Sequence, residues 1–236
     1  GPTSGRSIES SSQPSPLYTE QEPVHDFSAL LKGPGDSFYA LSDNGFGKRE
    51  NSTDYVLAIY KVTADFRTVD GGSGQLSLTE VITLGDPDGH LPYPATRPED
   101  RLLTGADLDP ESFQQAPDGS FWVGEEFNPS LVHFSPSGVL LAPPVTLTGL
   151  ASVGNPQGEA ATLPGSKGFE GMAMSPDQNL LYPLLEGAML ESEPGLNIYT
   201  FDIEQQRFLN PHANEPSFRY QLDETSTAIG DFIMYS

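Results

Sequence analysis

The chain is predicted to be all-β, built from four-stranded antiparallel units set like the blades of a β-propeller, with about three blades and the first strand of a fourth in its 236 residues. Three observations carry this. Glycine (24) and proline (22) recur throughout, and the apolar runs between them are short, so no window sustains a helical period. Three segments line up as copies of one hairpin: "DFSALLKGPGDSFYALSDNG" (26–45), "ESFQQAPDGSFWVGEEF" (111–127) and "EGMAMSPDQNLLYPLLEG" (170–187). Behind each copy comes a further strand pair, which gives four strands per unit.

In chain order, "GPTSGRSIESSSQPSP" marks residues 1–23 as a flexible leader, and 24–236 form the propeller part. The first hairpin is followed by "YVLAIYKVTADF" and "QLSLTEVITL", with an insertion over 70–105. "SLVHFSPSGVLL" follows the second hairpin, and "LNIYTFDIEQQRFL" with "SFRYQL" the third. "GDFIMYS" starts a fourth copy. A ring of so few blades leaves apolar faces open, so a second polypeptide is expected to complete it.

Eleven basic against 33 acidic side chains give a net charge of −22, a field that repels nucleic acid and anionic membrane surfaces. No cysteine is present, which excludes disulfides and thiolate metal sites. The long uncharged run 135–158 is broken by Pro136, Pro143, Pro144 and several glycines and is no membrane span. The lack of a signal peptide fits either a cytosolic protein or a mature exported one.

A hairpin's first strand begins at the end where its second finishes, so each copy brings acidic residues to one rim. The leading positions are Asp26, Glu111 and Glu170, with Asp231 in the fourth copy; the trailing ones are Asp43, Glu125 with Glu126, and Glu186. Asp107, Asp109 and Glu111 alternate along the approach, which aims them to one side. Carboxylates crowded at a channel mouth drive one another toward protonation unless a cation neutralises them. Calcium, which takes six to eight oxygens from carboxylates, amides such as Asn44 and Asn128, and carbonyls, is the natural ion; magnesium wants a tighter octahedron. His25, His90, His133 and His212 show no zinc spacing. Asp118 and Asp177 read as turn carboxylates. "DPDGH" (86–90) is half a calcium loop without its closing glutamate, and Asn51-Ser52-Thr53 is a formal glycosylation sequon.

"FYALSDNGFG", "RLLTGADLDPESFQQAPDGSFWVGEEFNPSLVHF" and "SKGFEGMAMSPDQNLLYPLLEG" resemble, in order, the signature segments of the esterase-like-activity-of-phytase family of bacterial, usually exported, phytase-like propellers. Members continue beyond a motif like Ile229-Gly230-Asp231, so the resemblance implies that this chain is the N-terminal part of such a domain. One departure is that the family's Gly-Asp-Glu-Phe-Gly-Pro stands here as Gly124-Glu125-Glu126-Phe127-Asn128-Pro129, with an extra methylene at Glu125.

The resemblance implies calcium-dependent hydrolysis of a phosphorylated small molecule. Glu111, Glu170 and Glu186 would bind the ion or orient water, Asp26, Asp43 and Asp231 would add rim ligands, and Lys167 and Arg101 would hold phosphate. A non-catalytic, calcium-stabilised propeller that binds a protein partner is the alternative. A lactonase-like hydrolase is a third reading, disfavoured by the lack of a well-placed histidine.

Overall fold

The computed structural model describes residues 3–5, 22–24, 27–192, 195–223, 226 and 228–234. Near the N-terminus β1 (Thr3–Gly5) pairs with β2 (Glu22–Pro23). Blade one is a meander of β3 (Phe27–Lys32), β4 (Ser37–Ser42), β5 (Ala58–Asp65) and β6 (Gln75–Thr83). Blade two repeats it with β7 (Pro110–Gln115), β8 (Phe121–Glu125), β9 (Ser130–Phe134) and β10 (Val145–Thr146). Strand β6 occupies part of the stretch read as an insertion, and the irregular excursion runs instead over 84–109.

Blade three opens with β11 (Phe169–Met174) and β12 (Leu180–Leu185). Its third strand is interrupted: β13 (Leu196–Ile198) and β14 (Phe201–Asp202) both pair with β12. The break falls opposite Pro183, which accepts a bond from the Tyr199 amide (3.0 Å) and has no N–H to return. The outer strand is split to match, as β15 (Arg207–Phe208) pairs with β14 and β16 (Phe218–Tyr220) with β13. The expected first strand of a fourth blade is corrected: residues 228–234 carry no β-ladder, although Phe232 packs beside Gly171 of β11.

The hairpin turns repeat as the sequence copies do. Ala116 and Ser120 close the β7–β8 turn, with Gly119 in the left-handed region (φ 86°) and Asp118 accepting from the Ser120 amide. Ser175 and Leu180 close the β11–β12 turn, where Gln178 takes the left-handed place (φ 60°).

Strand β7 lies between β3 and β11, so the first strands of the three blades are innermost neighbours. Ser112 and Gln114 of β7 donate side-chain bonds to the carbonyls of Phe169 and Met172 on β11, both 2.6 Å. Alternation along β8 then assigns the cores. Phe121 and Val123 face blade one, where Phe121 meets Tyr39 edge-on at 5.5 Å. Trp122 faces blade three, 4.7 Å from the Phe201 ring. The other face of blade one is partly covered, with Ala40, Ala58 and Tyr60 buried beside Val24, while Phe27, Leu30, Phe38, Phe66 and Leu76 line a groove of about 580 Å³ there.

Gly124, next on the Trp122 side, lies at a close approach of blades two and three. A Cβ there would lie 2.3 Å from Ser112 Oγ and 2.6 Å from the Phe169 carbonyl. Gly124→Ala is expected to destabilise the protein by about 1–3 kcal/mol through overpacking, measured as a lowered urea midpoint.

Candidate metal centre

Each inner hairpin carries a β-bulge at the same place. The ladder skips Ser28 between Phe27 and Ala29, Glu111 between Pro110 and Ser112, and Glu170 between Phe169 and Gly171. A bulge re-aims the extra residue, which brings Glu111 and Glu170 to the rim. The trailing acids Asp43, Glu126 and Glu186 each stand one residue past the end of β4, β8 and β12.

This register corrects the repeat alignment at two positions. Ser28, and not Asp26, corresponds to Glu111 and Glu170; Asp26 itself lies outside the described residues. Glu126 alone, and not Glu125, corresponds to Asp43 and Glu186.

Two groups of carboxylates result, Asp109 with Glu111 and Glu126, and Glu126 with Glu170 and Glu186. Within each group the oxygens lie within 4.8 Å of one another, and Glu126 belongs to both. Asp109 (5 % exposed) and Glu126 (6 %) are the buried members. Asn44 supports the first group without joining it: its amide N–H and Nδ2 donate to the two oxygens of Asp109 at 3.2 and 3.1 Å. Asp43 acts on Asp109 and Glu111 through its charge and accepts from the Gly45 amide at 2.6 Å.

Other expected ligands have different work. Glu125, 1 % exposed, accepts from the amides of Asp109 (3.2 Å), Phe127 (2.9 Å) and Asn128 (2.6 Å), so it shapes the turn that presents Glu126. Its extra methylene is what carries the carboxylate back over that turn. Asp107, also 1 % exposed, accepts four bonds from the amides and hydroxyls of Thr96 and Thr104 at 2.7–2.9 Å, and it pins the 84–109 excursion under the rim. Asp231 is exposed, accepts from the Phe232 amide, and lines the blade-one groove.

Of the two expected phosphate holders, Arg101 is committed to Asp86, donating from Nη2 to Oδ2 and from Nε to its carbonyl, both 2.7 Å. The Asp86 carboxylate also accepts from the amides of His90 and Leu91, so an arginine closes the "DPDGH" loop. Lys167 does reach the rim, where its ammonium pairs with Glu186. Asn51 of the sequon is buried, 5 % exposed, and donates to the Phe46 carbonyl, so it is not available to a glycan.

Residues 22–236 match the phytase-like family described as esterase-like activity of phytase. The chain belongs to that family. No curated protein matches it. Among solved structures it is similar to the periplasmic gluconolactonase PpgL of Pseudomonas aeruginosa, with 19% sequence identity and a TM-score of 0.39, over 91% of this chain and 51% of that one. The chain spans about half the length of that lactonase.

Burial and mutual repulsion push these carboxyls upward. Burial, then Asp109, raises Glu111 to about 10, with a hydrogen bond from Ser28 acting the other way. Glu170 rises to about 9 through burial and then Glu111, and Glu126 to about 7 through burial, against a hydrogen bond from Ser166. Asp109 is held well above its ordinary range by burial and the charge of Glu126. Ser28 and Ser166 escaped the sequence reading. Aligning the copies on the bulge would have found Ser28, whereas Ser166 carried no signal.

The donor set is oxygen alone, and among the described residues no histidine shares either group. Oxygens within 4.8 Å of one another fit around an ion bound at about 2.3–2.6 Å, the range for calcium. The metal-free protein should therefore lose stability as pH rises. Above about pH 4.5 the unfolded chain releases the protons of Glu111 and Glu170 while the folded chain keeps them, so the folded state binds more protons until about pH 9–10. Thermal melts in chelator are expected to show Tm falling between pH 5 and 9, with a shallower fall in Glu111→Gln. In contrast, Asp107→Ala leaves the two buried donors of Thr104 unpaired, besides those of the exposed Thr96, and is expected to cost about 2–3 kcal/mol at neutral pH, read from urea unfolding.

Proposed function

We propose that this chain supplies the acidic rim of a calcium-dependent, phosphoesterase-like hydrolase of the phytase-like family, acting on a phosphorylated small molecule at the channel mouth. The observation that carries the reading is the convergence of five carboxylates from blades two and three and the approach to β7 into two oxygen-only groups joined at Glu126.

Asp109, Glu111 and Glu126 would hold the ion, with Asn44 fixing the orientation of Asp109. When bound, calcium offsets the −22 field that would otherwise repel a phosphate, and it supplies Lewis acidity. Glu170, half-buried and pushed upward first of all by burial, is the group suited to protonate a leaving alkoxide. Glu126, shared between the groups, holds the ion-binding side and the proton-donating side in fixed relation.

A second reading, a calcium-stabilised scaffold without turnover, is favoured by one contact: the cation expected to hold phosphate, Lys167, is paired with Glu186. The exposed apolar groove of blade one supports completion of the ring by further polypeptide, either the same precursor or a second chain. Export follows the family's usual location. Among the described residues no helix is long and apolar enough to cross a membrane.

Phosphate release from phytate, a glycerophosphodiester and a chromogenic monoester, together with opening of a δ-lactone, separates the readings. Turnover of a phosphoester that calcium raises and chelator abolishes, and that Glu126→Gln lowers by about 100-fold or more, is the expected result. A calcium-raised Tm with no turnover of any substrate would leave the scaffold.

A further inference from the structure

We propose that Lys167 is a built-in cation that occupies the Glu126–Glu170–Glu186 half of the rim, so that the site takes one divalent ion, at Asp109–Glu111–Glu126, and not two. The inference rests on the metal-binding reading above and specifies its stoichiometry.

Two adjoining carboxylate groups bridged by one glutamate are an arrangement that two ions would ordinarily fill. Here two observations give the second half to the lysine. Its ammonium is paired with Glu186, one of the three members of that group. The second observation is independent of charge. Gly187, directly after Glu186, makes room for the lysine stem, because a Cβ there would lie 3.0–3.1 Å from Cβ, Cγ and Cδ of Lys167. Gly187 is not among the glycines with positive φ, so its backbone does not require glycine, whereas a Cβ there would press on the packed stem.

The stem is thus held against the start of the loop beyond β12, and the ammonium is delivered to Glu186, one of the three carboxylates that would otherwise coordinate metal there. A divalent ion entering there would have to displace a tethered positive charge and lose its own attraction to Glu186. Among the described residues no lysine or arginine pairs with a member of the first group. The lysine therefore has a positioning role. It offsets the charge of Glu186 in that half of the rim and leaves Glu170 outside the metal's coordination.

Calorimetric titration of the metal-free protein with Ca²⁺, checked by sensitised Tb³⁺ luminescence, tests this. One ion per chain is expected for the unaltered protein and for Lys167→Arg, and two for Lys167→Met, with the first ion bound about tenfold more tightly once the neighbouring charge is gone. Gly187→Ala, which displaces the stem without removing the charge, is expected to weaken the pairing and admit a second, weaker ion. Two ions in the unaltered protein, a result that needs no variant to fold, would overturn the inference and leave the metal reading intact. One ion in a folded Lys167→Met would do the same. Absence of binding by the unaltered protein would instead remove the metal reading, and this inference with it.

Discussion

Mutual repulsion among buried carboxylates is the constraint around which this half-ring is organised. Glu111, Glu126 and Asp109 are driven together by burial in an apolar frame, not by attraction to one another, and each raises the proton affinity of its neighbours. Such an arrangement persists only because the surrounding structure over-determines it. Asn44 clamps Asp109, three backbone amides clamp Glu125, and the bulges at Glu111 and Glu170 fix which way those side chains point. The stability lost at the rim is compensated in the two inter-blade cores, where Trp122, Phe121 and Phe169 are almost wholly buried.

Carboxylates in this stretch fall into two populations that look alike in sequence. One kind, Asp107 and Glu125, is satisfied by amides and hydroxyls and serves as scaffolding. The other, Asp109, Glu111 and Glu126, faces like charges and asks for a cation. The first kind makes the second possible. Asp107 ties the 84–109 excursion to the threonines beneath the rim, and Glu125 folds the turn that turns Glu126 inward. Asp86 and Arg101 provide a similar tie further along the same excursion, using an internal cation where a loop of that composition might have been thought to await calcium. Lys167 extends the theme to the rim itself, as a covalently tethered positive charge beside Glu186.

Much of this was legible in the residues. The hairpin copies located the inner strands β3–β4, β7–β8 and β11–β12, because strand length, turn chemistry and alternation are local properties. Hairpin geometry set the strand ends that carry Glu111, Glu170 and Glu186 at one end of the sheets, whereas the bulges that turn Glu111 and Glu170 to the rim left no mark in the sequence. Assigning Asp26 and Glu125 to the repeat failed for a specific reason: a bulge adds one unpaired residue without any sequence mark, so an ungapped comparison slips by a residue or two at the rim. Lys167 was found as a cation near Glu170, but its partner was not, since which carboxylate it meets depends on the loop beyond β12.

Composition and periodicity by themselves determined an all-β chain of repeated four-stranded units with acidic strand ends, because those features depend on neighbours within a few residues. Tertiary structure decided which acids remain unsatisfied, which are consumed by amides, and that Glu126 joins two groups. These are questions of distance between residues far apart in the chain, set by how blades pack at Gly124 and where bulges turn a side chain, and no local pattern encodes them.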